Sequence, residues 1–186
     1  ILALLLGFTF SLSLQRFDDR SQAVVAEANA IGTTVLRAQL LPPALREDTR
    51  TLLRQYVDLR VRASEVSLDE RTALVALRGE AEALQLRLWA RAREAVDGDA
   101  VSYAPILFAE SVNTMLDSYS LRESALDRHV PELVLWLMHL TFLMAGGIVG
   151  FAAGFAGHRP SLVSLIMVML IVVLAFIILD LDRPRR

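Results

Sequence analysis

The chain contains no cysteine and no lysine. Without cysteine there can be no disulfide framework, and no cysteine-based metal or redox site. All nineteen basic residues are arginine, which reads as genomic composition bias. Charge is missing from whole regions. Residues 1–14 carry no ionisable side chain, and residues 133–179 carry only His139, His158 and Arg159. Catalytic constellations are missing too. The three histidines form no HxxxH pair. His129 and Glu132 stand three apart, but Pro131 lies between them and no third ligand follows. The stretch GGIVG lacks the lysine and the strand context of a phosphate loop. The serines have no evident base. No catalytic residue and no cofactor motif is read, so an enzyme is not expected. A net charge of −2 gives no pull toward nucleic acid. No strand alternation, repeat or low-complexity segment is present.

What remains is apolar. At 54% hydrophobic the chain exceeds a soluble domain, which runs near 45–50%. Residues 162–179, LVSLIMVMLIVVLAFIIL, hold one polar residue, Ser164. A bilayer core about 30 Å thick takes roughly 20 apolar residues. One transmembrane helix is therefore expected over 160–181, opened by Pro160 and closed by Asp180. Another is expected over 131–157. Only Gly157, His158, Arg159 and Pro160 connect them, which predicts an antiparallel hairpin. Residues 1–14, ILALLLGFTFSLSL, are too short to span alone. They read as the end of a truncated span whose start lies upstream.

Arginine placement sets the orientation. Arg16, Arg20, Arg122, Arg128, Arg183, Arg185 and Arg186 fall near span ends on one side, against Arg159 on the other. That predicts a multi-pass protein of the bacterial inner membrane, with residues 15–130 and the C-terminus cytoplasmic. Residues 15–130 read as a helical bundle. Val24, Ala28, Ile31, Val35 and Ala38 make a helical stripe, so the first helix should run to about Leu40. Pro42 and Pro43 break it. Helices follow at 44–64, at 68–96 behind the capping box Ser67-Leu68-Asp69-Glu70, and at 103–129 from Ser102. The fold class is all-α: an integral membrane protein with a cytoplasmic helical bundle.

The stretch AGGIVGFAAGFAG, 145–157, packs five glycines into thirteen residues. In water each glycine costs a helix about 0.5–1 kcal/mol against alanine. In lipid, small residues let helices approach closely. Gly146, Gly150 and Gly154 make two GxxxG steps, and Gly146, Gly150, Ala153 and Gly157 share a stripe with His139. This face is read as helix packing, within the chain or between subunits, or as the border of a permeation path. An intramembrane histidine is a functional candidate, and its plain alternative is a neutral ring bonded to a backbone carbonyl. Asp18, Asp19 and Glu27 are weak metal candidates, with pairing to Arg16 and Arg20 the simpler reading. Arg46, Arg50 and Arg54 make a basic row read as a solvated face. His129 is a pH-sensing candidate.

Two stretches, GFTFSLSLQRFDDRSQAVVAEANAIGTTVLRAQLLP at 7–42 and ILDLDRPRR at 178–186, resemble a bacterial membrane family labelled bestrophin-like. In that family two spans precede the cytoplasmic helices and two follow. The label implies similarity to bestrophins, pentameric anion channels with an axial pore. The expected function is thus an oligomeric ion channel or pore, with anions favoured by the resemblance alone. Its expected partners are the lipid bilayer, inorganic ions and further copies of the chain. Ser11, Ser13, Ala28, Asn29, Ala30 and Gly32 are candidate pore-lining residues, with Phe8, Phe10 or Ile31 as a constriction. The alternative is a non-conducting scaffold or sensor whose cytoplasmic helices bind a partner.

Overall fold

The computed structural model describes residues 2–67, 70–99, 101–128, 131–155, 157 and 161–182. It contains six helices: α1 Leu2–Ala38, α2 Pro43–Glu65, α3 Arg71–Gly98, α4 Tyr103–Asp127, α5 Glu132–Phe155 and α6 Leu162–Asp182. No strand occurs among the described residues.

The helix ends follow local chemistry. After Ala38 the chain tightens into a turn, with the N–H groups of Gln39, Leu40 and Leu41 bonded three residues back. Pro42 and Pro43 cannot continue α1, and Pro43 then sits where a helix tolerates proline best, at the start of α2. Arg46 turns back and donates from Nε and Nη2 to the Leu41 carbonyl, at 3.2 and 3.0 Å. Between α3 and α4, Asp99 accepts the Ser102 N–H at 3.0 Å. Ser161 caps α6 by accepting the Ser164 N–H at 3.2 Å. The expected opener of that helix, Pro160, lies outside the described residues, as do His129, His158, Arg159, Arg183, Arg185 and Arg186. α3 begins at Arg71 rather than 68, with Glu70 at its N-cap and no side-chain capping bond there. Leu68 and Asp69 of the expected capping box lie outside the described residues. α5 stops at Phe155. Gly157 follows with φ +66°, its N–H bonded to the Gly154 carbonyl at 3.2 Å. It ends the helix instead of extending its glycine stripe.

The chain divides into two units. The first joins Ile1–Arg20 to Ala125–Pro184. It holds two helices long and apolar enough to cross a membrane, Leu133–Phe155 and Leu162–Leu181. Almost none of their surface is covered by the chain itself, so their apolar side chains call for hydrocarbon around them. A small core of Leu6, Met138 and Ile178, flanked by Phe10, Phe142 and Leu174, ties the start of α1 to α5 and α6. Arg20 donates to the Leu181 carbonyl at 2.5 Å, satisfying a carbonyl at the end of α6.

The second unit, centred on Ser21–Ser124, is a four-helix bundle. Tyr56 and Leu59 of α2, Leu88 of α3 and Phe108, Val112 and Met115 of α4 fill its core. Ala81, Ala92 and Ala95 on α3 and Ala30 and Ala38 on α1 line the same core, where a short side chain lets backbones approach. The Thr34 hydroxyl lies 2.8 Å from the Ala30 carbonyl and 3.0 Å from that of Ser111. Arg37 donates to the Leu107 carbonyl at 2.8 Å. Both contacts stitch α1 to α4.

Candidate functional site

Three features carry chemistry: the faces of α1, the glycine-rich α5, and a buried charge node in the second unit.

In the bundle α1 buries Glu27, Ala30, Thr34 and Ala38. Their 3-4-4 spacing is one helical face, and it shares only Ala38 with the apolar stripe that the sequence advertises, Ile31 packing at its edge. Val24, Val25, Val35 and Leu36 stay exposed, Leu36 at 66%. Glu27 excepted, no residue from Ser21 to Leu36 is charged. So α1 presents a bare face of apolar and small residues, and hides a carboxylate.

The candidate pore-lining residues divide accordingly. Ala28, Asn29 and Gly32 lie on the exposed side of α1 in the second unit, and Phe8 and Ser11 on its exposed side in the first. Ser13 is fully buried, and its hydroxyl has no partner among the described residues. Phe10 packs on the Leu6 core, Ile31 packs on the bundle core, and Ala30 is buried within it. These four face the chain's own interior.

On α5, nothing lies within 4 Å of where a Cβ would stand at Gly146, Gly150 or Gly154. Among the described residues, no other helix closes on them. His139 is exposed, and its Nδ1 lies 2.7 Å from the Leu135 carbonyl one turn back. A carbonyl only accepts, so Nδ1 carries the proton and the bond stays within the helix.

Glu27 is 1% exposed. Arg60 grips it at two points, Nε to Oε1 at 2.7 Å and Nη2 to Oε2 at 3.3 Å. Arg122 donates to Oε2 at 2.5 Å, and the Tyr56 hydroxyl to Oε1 at 3.3 Å. Arg60 also reaches Glu123 at 3.3 Å, which Arg78 holds from the other side at 2.7 Å. The Arg60 guanidinium lies 4.6 Å above the Tyr119 ring, within cation–π range. Burial alone would lower the Arg60 pKa, but the charge and hydrogen bonds of Glu27 more than offset it, and the net shift is upward. Burial raises the Tyr56 phenol, so it stays protonated and donates. The node joins α1, α2, α3 and α4, with two carboxylates among three guanidiniums.

This arrangement holds charge in place. It does not offer a metal an open oxygen cage. Asp18 and Asp19 are exposed and belong to the first unit. Glu27 belongs to the second, its oxygens committed to arginine and tyrosine. Among the described residues, no three acidic or histidine side chains gather as a metal set. In the sequence the node shows only as a lone acid inside a charge-free helical stretch. Its partners Arg60 and Arg122 stand 33 and 95 residues away.

The family model described as bestrophin-like domain matches residues 1–185. No curated protein and no solved structure matches the chain.

Proposed function

We propose, for a chain that belongs to the bestrophin-like domain family, that it is one subunit of a homo-oligomeric ion channel of the bacterial inner membrane, with anions its favoured cargo. The family points to a channel-like membrane protein, and α5 and α6 have the length and hydropathy of spans. One observation carries the finer reading. The exposed face of α1 keeps Val25, Asn29, Gly32 and Leu36 bare and uncharged along the bundle. A monomer in water has no reason to leave such a face open. Copies of α1 gathered about a shared axis would cover its flanks and leave small side chains toward a lumen. In this reading Asn29 and Gly32 line the path, Phe8 narrows it, and the glycines of α5 meet a neighbouring subunit. Residues 15–130 and the C-terminus face the cytoplasm in this reading, which the arginine asymmetry supports.

The test is ion flux from liposomes holding the purified protein, with chloride and potassium gradients applied separately. Chloride flux that exceeds potassium flux, and that changes in Gly150→Leu, supports the proposal. Silence from protein shown to be oligomeric, across pH and calcium, favours the non-conducting scaffold instead.

A further inference from the structure

α1 has two faces that could pack into the bundle, and the bundle buries the less apolar one. Glu27, Ala30, Thr34 and Ala38 point inward. They bring a carboxylate, a hydroxyl and little apolar area. The stripe of Val24, Ala28, Ile31, Val35 and Ala38 brings three β-branched aliphatic side chains. Yet Val24 is 44% and Val35 36% exposed, and Ile31 packs only at the edge. At about 100° per residue, the centres of the two stripes lie roughly 75° apart around the helix, with Ala38 common to both. By apolar area alone, the valine stripe should be the one inside.

The polar contacts of α1 resist that turn unequally. The Thr34 hydroxyl has one proton to give, and the Ala30 carbonyl of α1 itself stands at 2.8 Å beside that of Ser111 at 3.0 Å. It keeps a partner however α1 is turned. Arg37 reaches α4 from a side chain 30% exposed, so water can replace its contacts. Glu27 has no such substitute. It is 1% exposed, and its partners Arg60 and Tyr56 come from α2 and Arg122 from α4. A turn toward the valine stripe would bring Val24 and Ala28 to its place. Arg60, itself 7% exposed, would lose its two-point acceptor. A buried ion pair adds little net stability, but it can specify one register over another.

We propose that the Glu27 node sets the rotation of α1, and that without it α1 turns by roughly 75° to bury its valine stripe. Glu27 is then a positioning residue. By committing its own side of the helix to the bundle, it holds Asn29 and Gly32 outward. The inference goes beyond the channel reading and stands without it, because the node and both stripes belong to the bundle whether or not the protein conducts.

Single cysteines in the full cysteine-free chain, purified in detergent, test this by their rates of reaction with a charged maleimide. Two backgrounds remove the ion pair. Glu27→Ala with Arg60→Met leaves the inward face poor in apolar area, whereas Glu27→Leu with Arg60→Met refills it. In the alanine background Ala30→Cys should react about tenfold faster than in the otherwise unaltered chain, and Val24→Cys about threefold slower. Met115→Cys, in the core from α4, should stay protected. In the leucine background Ala30→Cys should be as slow as in the unaltered chain. Thr34→Cys, close in size to the residue it replaces, should rise in the same sense as Ala30→Cys and serves if that variant does not fold. Protection of both positions in the alanine background would overturn the proposal, because packing alone would then hold the face. So would a rise at Met115 equal to that at Ala30, since the bundle would then have loosened and not turned. No flux enters the reading, so silence in liposomes leaves the result standing.

Discussion

Glu27 and Arg60 form a two-point ion pair inside the bundle, Nε to Oε1 at 2.7 Å and Nη2 to Oε2 at 3.3 Å, with neither side chain more than 7% exposed. The pair fastens α1 to α2 at a position where a helix core would ordinarily place a leucine. Such a pair is a poor source of net stability, since desolvation opposes the attraction, but breaking one half leaves a stranded charge.

Removing the acid alone should therefore be costly. Glu27→Ala is expected to destabilise the bundle by about 3–5 kcal/mol. Replacing both partners, as Glu27→Leu with Arg60→Met, should cost much less than the two single changes together. Denaturant unfolding of the four proteins in detergent, followed by circular dichroism, gives the coupling. Strictly additive costs would show that the pair is not coupled.

The same node predicts an alkaline limit. Burial raises the Tyr56 phenol well above its ordinary 10.0, with Gln85 working against the shift and Glu27 adding to it. Burial, then Glu123, raises Tyr119 in the same direction. A group whose folded pKa is raised lends its stability below the unfolded value and loses it above. Stability should fall as pH climbs past about 10, because the unfolded chain releases protons that the fold retains. The Tyr56→Phe, Tyr119→Phe double variant should show a flatter decline in melting temperature between pH 9 and pH 11. An unchanged slope would mean the two phenols do not set the limit.

Glycine has two different roles within α5 and just beyond its end. Gly157 holds φ +66°, where a Cβ costs about 1–2 kcal/mol, so Gly157→Ala should lower the melting temperature. Gly150 has open space around it, so Gly150→Ala should leave the chain's own stability intact or raise it slightly. If the Gly150 face meets a neighbouring subunit, Gly150→Leu should shift the protein toward smaller species in light scattering. Unchanged mass would remove that face from the interface.

Much of this architecture is legible in the sequence, because length, apolar runs and proline act locally. The two long apolar helices, the break at Pro42-Pro43 and the long first helix all rest on such signals. The buried face of α1 is not legible. Periodicity favours Val24, Ala28, Ile31, Val35 and Ala38; the bundle buries Ala38 and packs Ile31 at its edge, but leaves the other three exposed and buries Glu27, Ala30 and Thr34 in their place. The reason is tertiary: Arg60 and Arg122 make a carboxylate acceptable inside, and small residues let α4 approach until Thr34 reaches the Ser111 carbonyl. The opener of α3 is a smaller case. Ser67 to Glu70 spells a capping box, but the helix starts at Arg71. For the candidate site, spacing alone could not separate Asn29 and Gly32, which are exposed, from Ala30 and Ile31, which pack inward. Neighbours far along the chain decide that.

The cysteine-free chain allows a clean test of the central claim, that the exposed face of α1 lines an ion path. Single cysteines at Asn29, Gly32 and Ala30 would be placed in reconstituted protein, and chloride flux measured before and after a charged thiol reagent. The account predicts that Asn29→Cys and Gly32→Cys lose most of their flux, at least fivefold, while Ala30→Cys, buried in the bundle, keeps it. Flux untouched by the reagent at both exposed positions, in protein that conducts, would contradict it.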